Sequence, residues 1–188
     1  MLGVEKEMTL DEIIKNRYSL RKFAKKEVKK EDILACLEAS RLAPSACNSQ
    51  PTHFYILQND VKNEFADTVF TKLYRPCKFF KNAPVLVALC VDKGANTAVK
   101  AGQKITGKPF YLTDQAIAGE HFVLKATELG LGTCWVGWFD SKKAAEFLKL
   151  KDNFEVHNLI ALGYAEDENA PRPKISRKKL EEISTFLG

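Results

Sequence analysis

Apolar positions recur at helical spacing in some stretches of the chain and run together without a break in others, and the alternation marks out the elements. In KEDILACLEASRLAP, Ile33, Leu34, Leu37 and Leu42 fall at helical spacing and Pro44 stops the pattern, which predicts an amphipathic helix. TLDEIIKNR places Thr9 and Glu12 in capping-box spacing ahead of Ile13 and Ile14, so a helix is expected from Thr9 to about Arg17. HFYIL reads as a short strand, and Asp60 then caps a helix carrying Val61, Phe65, Val69 and Leu73. PVLVALCV is apolar throughout, as a strand covered on both faces would be.

From Asn96 to Pro109 the chain is small and polar with no period, which predicts a mobile excursion. TDQAIAGEHFVLKATELGLG then predicts a long helix with Ile117, Phe122, Leu124 and Leu129 among its apolar positions. Its small residues Ala116, Ala118 and Gly119 allow close packing, and Gly130 ends it. TCWVGWF is a strand running into a turn, SKKAAEFLKL a short helix capped by Ser141, and VHNLIALGYA a second buried strand. SRKKLEEISTFLG closes the chain as a short amphipathic helix. Strands separated by helices around one sheet give an α+β or α/β class.

At 188 residues, 45% hydrophobic and 28% charged, the chain is expected to fold as one globular domain over residues 1–188. The longest apolar run, Ala83 to Val91, is far short of the roughly 20 residues that a membrane span needs. The N-terminus alternates charged with apolar residues and shows no leader pattern, so a soluble, cytoplasmic protein is expected. Five irregularly spaced cysteines without C-x-x-C argue against a disulfide framework and a zinc site. His53, His121 and His157 are each alone in their local sequence, which favours satisfied or exposed histidines over metal ligands. The net charge of +5 is scattered among acids without aromatic interleaving, so a solvated basic surface is expected and no nucleic acid partner.

Two stretches carry candidate chemistry. In RYSLRKF, Arg17, Ser19 and Arg21 alternate, so an extended backbone puts all three side chains on one side. Two guanidinium groups and a hydroxyl suit a phosphate; the other reading is a solvated basic loop. In PSACNSQ, Ser45, Asn48, Ser49 and Gln50 offer donors and acceptors suited to a flat, heteroatom-rich ligand such as a flavin ring. A loop that merely caps itself has the same composition.

RYSLRKF, LEASRLAPSACNSQPTHFYIL, ELGLGTCWVGWF and RPKISRKKLEEI, in this order and spacing over nearly the whole chain, together resemble the FMN-dependent nitroreductase family. The resemblance implies an α+β fold with a central mixed sheet flanked by helices, in an intertwined homodimer. It implies that Arg17, Tyr18, Ser19 and Arg21 hold the FMN phosphate and ribityl chain. Pro44, Ser45, Asn48 and Gln50 match the family's P-S-x-x-N-x-Q loop, which reaches the flavin of the other subunit. Gly137 and its neighbours Trp135 and Trp138 match the strand end near the reactive edge of the flavin, with core packing as the alternative for the tryptophans. Arg177 matches a late basic residue on the phosphate, with Lys174 or Lys178 as helpers and exposed helix-end charge as the alternative.

The implied activity is transfer of a hydride from NAD(P)H through flavin N5 to nitroaromatic or quinone-like acceptors in two steps, with no side chain assigned as acid or base. A flavin-binding, storage or sensor protein without efficient turnover would carry the same motifs. Two departures stand out: Thr52 occupies a position where the family often has Trp, and only Asn96 to Tyr111 is available as a cover over the site.

Overall fold

The computed structural model describes residues 8–94, 96–171 and 173–188. The first seven residues, on which the expectation of no leader partly rests, and Arg172 of the PRPK stretch lie outside the described residues.

Four strands, β1 (Thr52–Gln58), β2 (Val85–Asp92), β3 (Gly132–Val136) and β4 (Phe154–Gly163), form one sheet in the order β1-β2-β4-β3. Neighbouring strands pair antiparallel, and parallel pairing enters at the bridge between Ser19 and Thr133 outside β3. Among the described residues six α-helices accompany the sheet: α1 (Leu10–Asn16), α2 (Lys30–Arg41), α3 (Asn59–Val69), α4 (Thr97–Thr106), α5 (Phe110–Glu128) and α6 (Ser141–Phe147).

β2 shows why its run is apolar without a break. Leu86, Ala88 and Cys90 join Phe65 and Val69 of α3 and Ala144 of α6 on one face, while Val85, Val87 and Leu89 join Ile33 of α2 and Phe122 of α5 on the other. Helices therefore cover both faces of the sheet, and the side chains alternate between two cores.

Most predicted elements form, and α1 begins with the expected capping box between Thr9 and Glu12. Gly130, at φ 73°, follows the end of α5. Leu34 of α2 and Leu42, which follows its last residue, face outward even though they lie at helical spacing with buried Ile33.

Other expectations are corrected. Asn96 to Pro109 is not an irregular excursion: the Asn96 side chain accepts from the N–H groups of Ala98 and Val99 and starts α4. Val99 is its one buried residue among those described, and Ile105, its other large apolar residue, is exposed. Helix α3 starts one residue before Asp60 without a side-chain cap, and it ends at Val69, leaving Leu73 in the 3-10 segment Lys72–Asn82. Asp140, not Ser141, caps α6, accepting the Lys143 N–H at 3.1 Å. The closing segment is extended with a 3-10 turn at Leu180–Glu182. Leu180, Ile183 and Phe186 of that segment are exposed, and an amphipathic helix needs a surface to bury its apolar face.

Candidate functional site

Arg17 follows α1, its N–H bonded to Ile13 O at 2.9 Å, and the chain then runs extended along the outside of β3. Ser19 bridges Thr133, and the Leu20 N–H donates to the Thr133 carbonyl at 2.8 Å. Leu20 is buried over Gly132, where a Cβ would lie 2.3 Å from Leu20 Cδ2; only glycine leaves that approach open. Arg17, Tyr18 and Ser19 are half-buried and Arg21 is exposed.

Ser19 pairs with Thr133 next to Cys134 in the chain, and the Arg21 guanidinium donates to the Ser19 carbonyl at 3.4 Å. Burial pushes Cys134 of β3 up, while the charge of Arg21, the Ser19 hydroxyl and the charge of Arg17 pull against it. Arg17, Ser19 and Arg21 thus share one extended segment along the sheet edge, and two guanidinium groups with a hydroxyl are a donor set that suits phosphate oxygens.

At the end of β3, Gly137 is exposed, and a Cβ there would find only Asn158 Nδ2, at 3.7 Å. Trp138 is 51% exposed; its Nε1–H donates to the Leu73 carbonyl at 3.2 Å and its ring meets Tyr74 edge-on at 5.5 Å. Core packing therefore does not describe Trp138. It does describe the Trp135 indole, which lies against the α5 side of the sheet.

The Pro44–Gln50 loop is built on strained backbone, with Cys47, Asn48 and Gln50 at φ 50°, 51° and 46°. Ser45 Oγ accepts the Gln50 N–H at 2.9 Å, and Gln50 Nε2 donates to the Asn48 carbonyl at 3.2 Å. Part of the polar content thus holds the loop to itself, as the self-capping alternative requires. Asn48 and Gln50 remain exposed. Asp114 of α5 anchors the loop, accepting from Ala46 N at 3.0 Å and from Ser49 Oγ at 3.4 Å. A cavity of about 310 Å³ opens behind, lined by Pro44, Ser45, Gln50, Thr52, Phe54 and Asp114 among others.

One chain does not bring the two stretches together. Ser19 lies outside β3 and the loop leads into β1, so four inter-strand spacings of ~4.8 Å, roughly 19 Å, separate their edges of the sheet. They also lie at opposite ends of it: Thr133 is in the row of Leu162, Val85 and Gln58, whereas the loop precedes Thr52 in the row of Val91 and Glu155. Arg177, Lys174 and Lys178 are exposed in the extended closing segment.

The nitroreductase family model matches residues 14–164, which include the edge clamp, the strained loop and the whole sheet. The chain belongs to the nitroreductase family. A nitroreductase family protein from Clostridium difficile 630 is 28% identical, with a TM-score of 0.79 covering 96% of this chain and 99% of that one. An FMN-dependent nitroreductase from Clostridium difficile R20291 is 27% identical, with a TM-score of 0.68 over 86% and 91% of the two chains. The major NAD(P)H-flavin oxidoreductase of Aliivibrio fischeri is 27% identical over 93% of this chain and 96% of that one.

Within this nitroreductase-family site, sequence reasoning missed Asp114, Cys134, Leu73 and Tyr74. Asp114 contacts residues 68 and 65 positions away, so no local pattern announces it. Thr52, flagged as a departure, has a buried hydroxyl without a hydrogen-bond partner among the described residues.

Proposed function

We propose that this chain, as a homodimer with composite sites, binds FMN noncovalently and transfers electrons from NADH or NADPH to nitroaromatic or quinone-like acceptors. One observation carries the reading: the extended segment bearing Arg17, Ser19 and Arg21 runs along the β3 edge of the sheet, which the Pro44–Gln50 loop of the same chain does not reach. The donor set fits a phosphate monoester, and the distance between the two stretches supports completion of each site by a second copy.

Arg17 and Arg21 supply planar, charge-assisted donors to the phosphate and Ser19 a hydroxyl. Tyr18 lines the ribityl path, and Arg177 on the extended closing segment adds a further cation. Gly137 admits a ring plane close to the backbone, since nothing in its own chain crowds the missing side chain. Trp138 and Tyr74 form an aromatic wall beside that opening, which suits a flat acceptor that stacks. Asn48 and Gln50, with Pro44 and Ser45 shaping their loop, turn amide groups toward the polar edge of the ring. FMN, when bound, supplies the two-electron hydride chemistry between nicotinamide and acceptor. The chain's residues position both and stabilise developing negative charge with nearby cations and amides. No side chain is assigned as acid or base.

Among the described residues no helix is long and apolar enough to cross a membrane. Cytoplasmic residence is part of the proposal, favoured by five free thiols.

The test starts from protein as purified. Acid-released cofactor is identified, then flavin absorbance is followed in anaerobic stopped flow with NADH, NADPH or no donor, and steady-state turnover is measured with menadione. Bound FMN that bleaches with donor and turns over with menadione is expected. FAD in place of FMN overturns the single-phosphate clamp, and FMN without turnover reassigns the protein to flavin storage or sensing.

A further inference from the structure

We infer that Asp114 is a positioning residue that holds the Pro44–Gln50 loop in its ligand-binding conformation. The inference rests on the flavin reading of that loop and names what prepares it.

Asp114 lies in the first turns of α5 and is only 5% exposed. A carboxylate buried to this extent is costly unless donors satisfy it, and the structure gives it two, both from the loop. The Ala46 N–H reaches Oδ1 at 3.0 Å and the Ser49 hydroxyl reaches Oδ2 at 3.4 Å. These two anchors bracket Cys47 and Asn48, which take left-handed backbone angles disfavoured for side-chain-bearing residues. Gln50, the next such residue, is tied in turn to Ser45 Oγ through its N–H.

The internal bonds alone do not fix where the loop stands. The Asn48 N–H to Ser45 O and Ser49 N–H to Ala46 O bonds, at 3.0 Å each, close the turn upon itself and leave it free to swing as a unit. Asp114 ties that unit to a long helix whose buried residues Gln115, Ala118 and Phe122 pack into the body of the protein. Gln115 itself donates to the Leu89 carbonyl of β2 at 3.2 Å, so the anchor is joined to the central strand. Charge-assisted bonds from a fixed helix are what a strained, preorganised turn requires. With Ala46 and Ser49 pinned, Asn48 and Gln50 are exposed on a loop already ordered, the Gln50 amide steadied by the Asn48 carbonyl, so that a ligand does not spend binding energy on ordering it.

The test compares Asp114→Ala, Asp114→Asn and Ser49→Ala in the full chain, with two readouts. The first is amide hydrogen exchange of the 44–50 loop in flavin-free protein. The second is FMN affinity together with the visible circular dichroism of the bound flavin. Asp114→Ala is expected to raise exchange in the loop, with β2 and α5 still protected, and to weaken FMN by at least about tenfold with an altered flavin spectrum. Asp114→Asn keeps a carbonyl oxygen for the Ala46 N–H and is expected within about threefold of the natural chain, with its spectrum restored. Ser49→Ala should fall between the two. Should Asp114→Ala not fold, Asp114→Leu, which fills the space without an acceptor, takes its place with the same expectations.

Unchanged loop exchange or unchanged FMN affinity in Asp114→Ala, or in Asp114→Leu where it stands in, overturns the inference. So does an Asn variant as impaired as the Ala variant in loop exchange and FMN affinity. Failure of the natural chain to bind FMN would instead defeat the flavin reading, and the exchange measurement would still decide whether Asp114 holds the loop.

Discussion

Gly119 of α5 and Trp135 of β3 fit together only because Gly119 has no side chain: a Cβ there would lie 2.2 Å from Trp135 Cη2 and 2.9 Å from Leu89 Cδ2. The indole therefore occupies the space that any other residue at 119 would need, and it locks the long helix to the strand whose outer edge carries the clamp. Gly119→Ala is expected to destabilise the protein by about 1–3 kcal/mol, read as a lower urea midpoint with an unchanged slope. Trp135→Phe removes the indole atoms that collide and leaves the Leu89 contact, so in the double variant the two costs should fall short of their sum. Strict additivity would show that the contact does not limit the packing.

Thr52 begins β1 with its hydroxyl buried and without a partner among the described residues. An unsatisfied buried hydroxyl costs free energy, and valine keeps the branched shape that a strand favours. Thr52→Val should raise thermal stability, by about 1 kcal/mol at most. A fall in stability, or a loss of flavin, would mean that the hydroxyl finds its partner in the assembled, loaded protein.

How far the sequence shows these features depends on the range of the interaction that makes them. The apolar run of β2 and the capping box at Thr9 are local and could be read directly. The alternation of Arg17, Ser19 and Arg21 acquires a meaning only on an extended backbone, and the bridge of Ser19 to Thr133 gives it that backbone; the hold on a phosphate is part of the proposal. The anchor at Asp114 was hidden, since a carboxylate in a helix carries no sign of a loop 68 positions earlier. Helix α4 was missed for a different reason. Its cap at Asn96 and stop at Gly107 are legible signals, yet of the apolar residues between them two are alanines, with Val99 and Ile105 the only large ones. The closing segment erred the other way: its amphipathic pattern is real, and among the described residues its apolar side chains Leu180, Ile183 and Phe186 stay exposed.

The thiols give the stability an alkaline limit. Burial pushes both Cys36 and Cys90 up to about 12, for Cys36 with help from the charge of Asp32. Below about pH 9 these thiols are protonated in folded and unfolded chain alike. Above it the unfolded chain releases their protons while the folded chain retains them, so the unfolded state gains and stability falls as pH rises toward 12. One unit above the unfolded value each thiol should cost about 1.4 kcal/mol. Urea unfolding between pH 7 and 10 measures the slope, and Cys90→Ala should flatten it even if its stability at pH 7 is lower. A slope unchanged in that variant would assign the alkaline loss to other groups. Exposed Cys47 should react first with a thiol reagent, and a chelator should leave activity intact.

The composite site makes the most demanding prediction. If the flavin held by Arg17 and Arg21 of one chain meets Asn48 and Gln50 of another, Arg21→Ala and Asn48→Ala damage different halves of each site. Arg21→Ala alone should weaken FMN by about 1.5–3 kcal/mol, the usual worth of a hydrogen bond to a charged group. When the two variants are unfolded and refolded together, a mixed dimer holds one site with both segments intact and one with both defective. Activity at limiting FMN should then rise well above either parent, and added FMN should stabilise dimers by mass action. In a site formed within one chain, every site of the mixture keeps one defect and no gain appears. The roughly 19 Å between the two sheet edges argues for the first outcome. Mixed dimers that form without regaining activity, or an active monomer in sedimentation, would place both stretches on one ligand within a single chain and require the loop to leave the position that Asp114 gives it.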